Sequence, residues 1–212
     1  MRRLLDAGHV LIKSRLFYPL VFIAALTPAV GLALKFYRHD LGVNPTETLL
    51  HETGKDALML LMASLAITPI RRFTGWNRIQ VVRRMLGVWS FVYALSHFLI
   101  YAFLDQIGLV DAILEDIAKR PFITIGMLAF SILLVLALTS TNGMMRRLGR
   151  NWQRLHRLVY VALGAAIIHF IWGQKSNISE PLQWAAAGTF LLGVRVWFSW
   201  RKRRSPARAA QT

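Results

Sequence analysis

The 212-residue sequence contains no cysteine. Disulfides, iron–sulfur clusters and thiolate metal sites are thereby excluded. Acid is also scarce: 10 Asp and Glu stand against 26 Lys and Arg, a formal net charge of +16. There is no G-x-G-x-x-G loop, so no dinucleotide-binding domain is expected. The chain reads without an internal repeat, heptad array or low-complexity block. Its basic start, "MRRLLDAGHVLIKSR", lacks a short apolar core followed by a small-residue cleavage site. Residues 1–15 are therefore expected to be a retained cytoplasmic segment, not a cleaved signal peptide.

What the chain has in quantity is apolar sequence, 55% of its residues, which places it in the membrane class. A helix needs about 20 apolar residues to cross the hydrocarbon core. Residues 16–34, 85–104, 121–145 and 158–174 meet or approach that length. Two weaker stretches, 57–70 and 181–200, reach it if terminal Lys and Arg side chains extend to the interface. Pro121 and Pro181 suit the first turn of their helices, where no intrahelical N–H bond is lost. The expected fold is an all-α membrane protein, a six-transmembrane-helix bundle over residues 16–200 with a basic tail at 201–212.

The charges orient that bundle. Basic clusters fall in the N-terminal segment, the second-to-third loop (Arg71, Arg72, Arg78, Arg83, Arg84), the fourth-to-fifth loop and the tail. All four lie on one side of a six-span topology, and nine of the ten acids lie on the other. The positive-inside rule then puts both termini in the cytoplasm. Basic residues that alternate with lipid-length segments do not form one soluble basic face, which argues against a nucleic-acid partner.

Inside this apolar chain sit two deep histidines. His97 lies 13 residues in from Arg84, roughly 20 Å at the helical rise. His169 lies 14 residues in from Leu155 on the fifth segment, roughly 21 Å. Two imidazoles at one depth on different helices match the way b-type haem iron takes two axial ligands. Zinc usually requires a third or fourth ligand, and none is visible at that level. A lone intramembrane histidine can simply bridge to a neighbouring helix, but ionisable residues at such depth are usually functional. His156, 13 residues before His169, is a candidate for a second haem or a plain headgroup-facing residue. Its counterpart on the third segment is Arg83 or Arg84, which suits a propionate or another anion rather than iron. His51 reads as a loop residue at the outer start of the second segment, and His9 and His39 as solvated or interfacial residues. The acidic stretch from Asp105 to Asp116 reads as solvated loop charge, with a docking surface as the alternative.

Four stretches, "HETGKDALMLLMASLAITPIRR", "RRMLGVWSFVYALSHFLIYAFLDQIG", "KRPFITIGMLAFSILLVLALTST" and "LGRNWQRLHRLVYVALGAAIIHFIW", together resemble the MsrQ (formerly YedZ) family. The resemblance covers residues 45 to 175 and places the chain with the ferric reductase-like transmembrane domains. It implies a haem-binding subunit of the bacterial inner membrane, working in a methionine sulfoxide reductase system that repairs oxidised periplasmic proteins. It implies that electrons pass from the quinone pool through b haem to MsrP, a periplasmic molybdoenzyme. A cytosolic flavin reductase is an alternative donor. It implies His97 and His169 as iron ligands, with His156 as a further candidate. FMN is implied by the resemblance alone, with Arg71, Arg72, Arg83 and Arg84 as candidates for its phosphate. The substrate chemistry would then lie on the partner, and no catalytic residue is expected in this chain. A transmembrane ferric or metal reductase and a cofactor-free scaffold or small transporter are the alternatives.

Overall fold

The computed structural model describes residues 16–174 and 178–203, and every regular element among them is helical. Residues 1–15, and with them the N-terminal cytoplasmic segment and His9, lie outside the described residues, as does the tail beyond residue 203.

In chain order the elements are α1 (Phe17–Tyr37), α2 (Pro45–Thr74), α3 (Gln80–Ile100), α4 (Val110–Lys119), α5 (Pro121–Leu138), α6 (Asn142–Leu148), α7 (Arg150–Leu155), α8 (Val159–Gly173) and α9 (Ser179–Arg203). Short 3-10 turns at Asn77–Ile79 and His156–Leu158 lead into α3 and α8, and a π-helical turn at Tyr101–Asp105 ends α3. Five stretches are long and apolar enough to cross a membrane: Phe17–Tyr37, Pro45–Thr74, Asn77–Asp105, Pro121–Leu138 and Arg150–Gly173. At 25 residues α9 has the length, but Arg195 interrupts its apolar run.

Local chemistry sets the boundaries. Asn44 opens α2: its side chain accepts from the Glu47 N–H at 3.2 Å and donates to the Glu47 carboxylate at 3.0 Å. Pro45 follows at the first helical position, and Gly75 closes the helix at φ 73°. α2 is thus 30 residues long, twice the expected 57–70 stretch. Its first three turns escape a hydropathy reading because they carry Glu47, His51, Glu52, Lys55 and Asp56. The expected 121–145 helix instead ends at Leu138, where Thr139 and Ser140 hydroxyls donate back to the Val135 and Leu136 carbonyls, each at 2.7 Å. Thr141 then caps the separate helix α6.

α2 packs along α3 and α5 along α8; α9 lies against α2 and α8, and α1 against α2 and α3. Leu58, Leu61, Met62 and Leu65 of α2 meet Leu133 of α5 and Ala162 and Leu163 of α8 in one buried cluster. Hydroxyls stitch the first pair: Ser90 donates to the Ala57 carbonyl and Ser64 to the Arg83 carbonyl, both at 2.8 Å. Arg195 is accommodated inside the bundle, donating to the Tyr160 hydroxyl and, at 2.9 Å, to the Leu65 carbonyl.

Candidate haem site

Between the two helix pairs lies a cavity of about 530 Å³, within the roughly 300–1,000 Å³ of ordinary ligand sites. His97 and His169 enter it from α3 and α8. Their ring centroids are 6.1 Å apart and their planes cross at 84°.

Each imidazole is held in the same way. His97 Nδ1 lies 2.9 Å from the Leu50 carbonyl on α2, and His169 Nδ1 lies 2.7 Å from the Phe122 carbonyl on α5. A carbonyl can only accept, so both Nδ1 atoms carry the hydrogen and both Nε2 atoms keep a free lone pair. That tautomer, with the second ring nitrogen anchored to a carbonyl, is the one a metal-ligating histidine needs. One turn beyond each accepting carbonyl stands a glycine. A β-carbon at Gly54 would lie 3.1 Å from His97 Nδ1, and one at Gly126 would lie 2.7 Å from His169 Nδ1. Only a helix without a side chain there lets an imidazole lie so close to the backbone.

The two arrangements are copies. Leu50 and Phe122, Gly54 and Gly126, and His97 and His169 each stand 72 residues apart. The same interval relates Ala57 to Ala129, Leu61 to Leu133, Ala94 to Ala166 and Phe98 to Phe170, and all of these line the cavity. The chain does contain an internal repeat, contrary to the sequence reading. The matched pairs include the histidines and the glycines beside them, while other cavity pairs, such as Lys55 and Met127, differ.

Two metal–imidazole bonds of about 2 Å, plus the half-widths of two rings, put the centroids of a linear bis-imidazole site roughly 6 Å apart. The observed 6.1 Å therefore fits one iron between His97 and His169. Among the described residues no group of three His, Asp or Glu side chains forms a small-ion site. The apolar walls suit a porphyrin, and Lys55, Arg120, Asn44 and Gln174 at the mouth are donors suited to its carboxylates.

Comparison with known proteins places the chain in a family. Residues 53–167 match the family described as "Ferric reductase like transmembrane component". A protein of Herminiimonas arsenicoxydans named "Protein-methionine-sulfoxide reductase heme-binding subunit MsrQ" is 45% identical over 91% of this chain and 88% of its own length. The chain belongs to the MsrQ family. A second relative of the same name, from Ralstonia nicotianae, is 46% identical over 88% of each chain, and a third, from Xanthomonas axonopodis pv. citri, is 45% identical over 89% of each.

The other expected site residues stand apart from the cavity. His156 lies in the 3-10 turn before α8, stacked on Trp152 with centroids 3.9 Å apart. Its Nε2 lies 3.2 Å from Thr139 Oγ1, and Trp152 Nε1–H donates to the Thr139 carbonyl at 2.9 Å. At the 72-residue interval the counterpart of His156 is Arg84, which turns outward to donate to Asn142 on α6. Arg83 faces the region of Tyr160 and Arg195 rather than the cavity. Arg72 lies over the Phe198 ring at 5.0 Å. His51 is not a loop residue: it sits on α2, lines the cavity mouth, and its Nδ1 accepts from Gln174 at 3.4 Å. Asp116, in the acidic outer stretch, is tied up locally by Tyr101, Gln106 and Arg120 at 3.1–3.2 Å. The sequence reading missed Gly54 and Gly126, for which the shared interval to the two histidines was the available signal.

Proposed function

We propose that this protein is a haem-binding electron-transfer subunit of the bacterial inner membrane, with His97 and His169 as the axial ligands of one b haem. The observation that carries this reading is the pair of Nδ1-anchored imidazoles 6.1 Å apart in an apolar cavity. The haem supplies one-electron chemistry when bound. The chain does the rest: two carbonyls orient the imidazoles, two glycines admit them, and aromatic and aliphatic walls keep water away. The relatives' printed name links them to protein-methionine-sulfoxide reduction. By extension, this chain delivers electrons to a periplasmic molybdenum-dependent reductase of MsrP type, where methionine sulfoxide is reduced.

The quinone pool is the proposed donor, with a cytosolic flavin reductase as the second route. Six spans, α9 being the sixth, put both termini in the cytoplasm and the cavity mouth on the periplasmic side. Arg195 supports the sixth span, because its guanidinium finds partners within the bundle. His156 and Arg84, paired by the repeat, remain the candidates for an inner anion or second haem. The inner arginines Arg71 and Arg83 remain those for the phosphate of FMN.

The test is reconstitution with a purified MsrP-type reductase. Quinol-driven reduction of a methionine sulfoxide peptide that needs both proteins supports the reading. Haem that reduces ferric chelates directly, and does not reoxidise with the reductase and its substrate, supports a metal reductase instead.

A further inference from the structure

A second cavity, about 210 Å³, lies between α1 and α2, lined by Pro28, Gly31, Leu32, Lys35, Glu52 and Asp56. We propose that this groove binds the head of a lipid-soluble quinol, with Asp56 as its hydrogen-bond and proton acceptor. The proposal rests on the reading of the chain as a haem protein fed from the membrane.

Asp56 is half-buried within a span-length helix, and among the described residues its carboxylate has no hydrogen-bond or ion-pair partner. The neighbouring Lys55 pairs instead with Glu52 at 3.2 Å and Glu180 at 3.3 Å. An unpartnered carboxylate that faces a groove between two span-length helices points to a ligand or proton path. The volume is below the roughly 300 Å³ of sites that enclose a whole ligand. It suits one substituted ring whose tail stays in lipid. The carboxylates of Asp56 and Glu52 outnumber the one cation of the lining, Lys35, which disfavours a phosphate headgroup, whereas a neutral hydroxyl donates well to a carboxylate.

The groove lies across α2 from the haem cavity, on the face opposite Leu50 and Gly54. Next to the groove residue Pro28, the Tyr93 hydroxyl enters the α1 ladder, accepting from the Ala29 N–H at 3.0 Å and donating to the Ala25 carbonyl at 2.9 Å. Tyr93 lies one turn, about 6 Å, from His97 on α3. On α2, Glu52 lies between Leu50 and Gly54, the residues that hold His97, and Asp56 lies just past Gly54. A quinol here loses two electrons and two protons to become the quinone. A haem held by His97 and His169 would supply the one-electron acceptor for each of the two electrons, and the protons would leave in turn through the Asp56 carboxylate toward the Glu52 and Lys35 end.

The test uses purified full-length protein containing haem and a short-tailed quinol, decylubiquinol, with haem reduction followed by stopped-flow absorbance. Two variants are compared: Asp56→Asn, and Gly31→Leu, which fills the groove from a position where a β-carbon meets nothing within 4 Å. Both are expected to slow quinol-driven reduction about tenfold or more, with visible spectra and dithionite reduction unchanged. If wild type is reduced and both variants keep its rate, the groove is not the site, although the quinol-donor reading stands. If haem-loaded wild type is not reduced by the quinol at all, the donor reading fails and the groove fails with it.

Discussion

Gly126 lies so close to His169 that a β-carbon placed on it would stand 2.7 Å from Nδ1 and 2.9 Å from Cε1. No side chain fits there unless the imidazole moves, and moving it breaks the 2.7 Å bond to the Phe122 carbonyl. Gly54 stands in the same relation to His97, with more room at 3.1 Å.

The two glycines should therefore differ in a graded way. Gly126→Ala is expected to lose most bound haem or its low-spin spectrum, and to destabilise the chain by about 1–3 kcal/mol through overpacking. Gly54→Ala is expected to keep most of its haem with a perturbed spectrum. Haem quantification and electron paramagnetic resonance of the ferric state check both. The 84° crossing of the ring planes predicts a signature of near-perpendicular imidazoles in wild type.

His156 should be separable from the haem proposed between His97 and His169. Its neighbours are Thr139 and Trp152, and it lines no part of the His97–His169 cavity. His156→Ala is expected to keep that haem's visible difference spectrum and to lose about 0.5–1.5 kcal/mol of stability with the Thr139 contact. Loss of the whole spectrum in a folded His156→Ala protein would contradict this separation.

Arg195 should behave as a structural residue. Its guanidinium joins α9 to α8 through Tyr160 and to α2 through Leu65. Arg195→Ala leaves a part-buried carbonyl and a part-buried hydroxyl without their donor, at an expected cost of about 1–3 kcal/mol. Thermal unfolding in detergent reads this, and Arg195→Lys is expected to recover only part, because one ammonium cannot reproduce the fork of the guanidinium.

The proposed topology has a direct check. Reporter fusions after Gly108 and after Gly149 should fall on opposite sides of the membrane, Gly108 outside and Gly149 inside. Fusions reporting the same side would exclude the six-span arrangement.

Much of this was legible from residues alone, and the illegible parts have physical reasons. That His97 and His169 belong together was legible from the rise per residue counted from Arg84 and Leu155, and the structure brings both rings into one cavity. The outer turns of α2 were hidden because Lys55 is paired with Glu52 and Glu180, and hydropathy scores such residues as if they stood alone. The break after Leu138 was hidden because Thr139 and Ser140 look like tolerable helix residues until their hydroxyls take up backbone carbonyls. Gly54 and Gly126 carry no polar signature. Their meaning lies in a close approach between helices, which only the three-dimensional packing or the 72-residue interval reveals.

The central claim is the pair of axial ligands, and it is tested most directly by reduced-minus-oxidised visible spectra of purified wild type, His97→Ala and His169→Ala. A b-type difference spectrum in wild type that collapses in both variants, while each stays folded, is the predicted result. A spectrum that survives loss of either histidine unchanged, or no haem in folded, haem-supplied wild type, would contradict it.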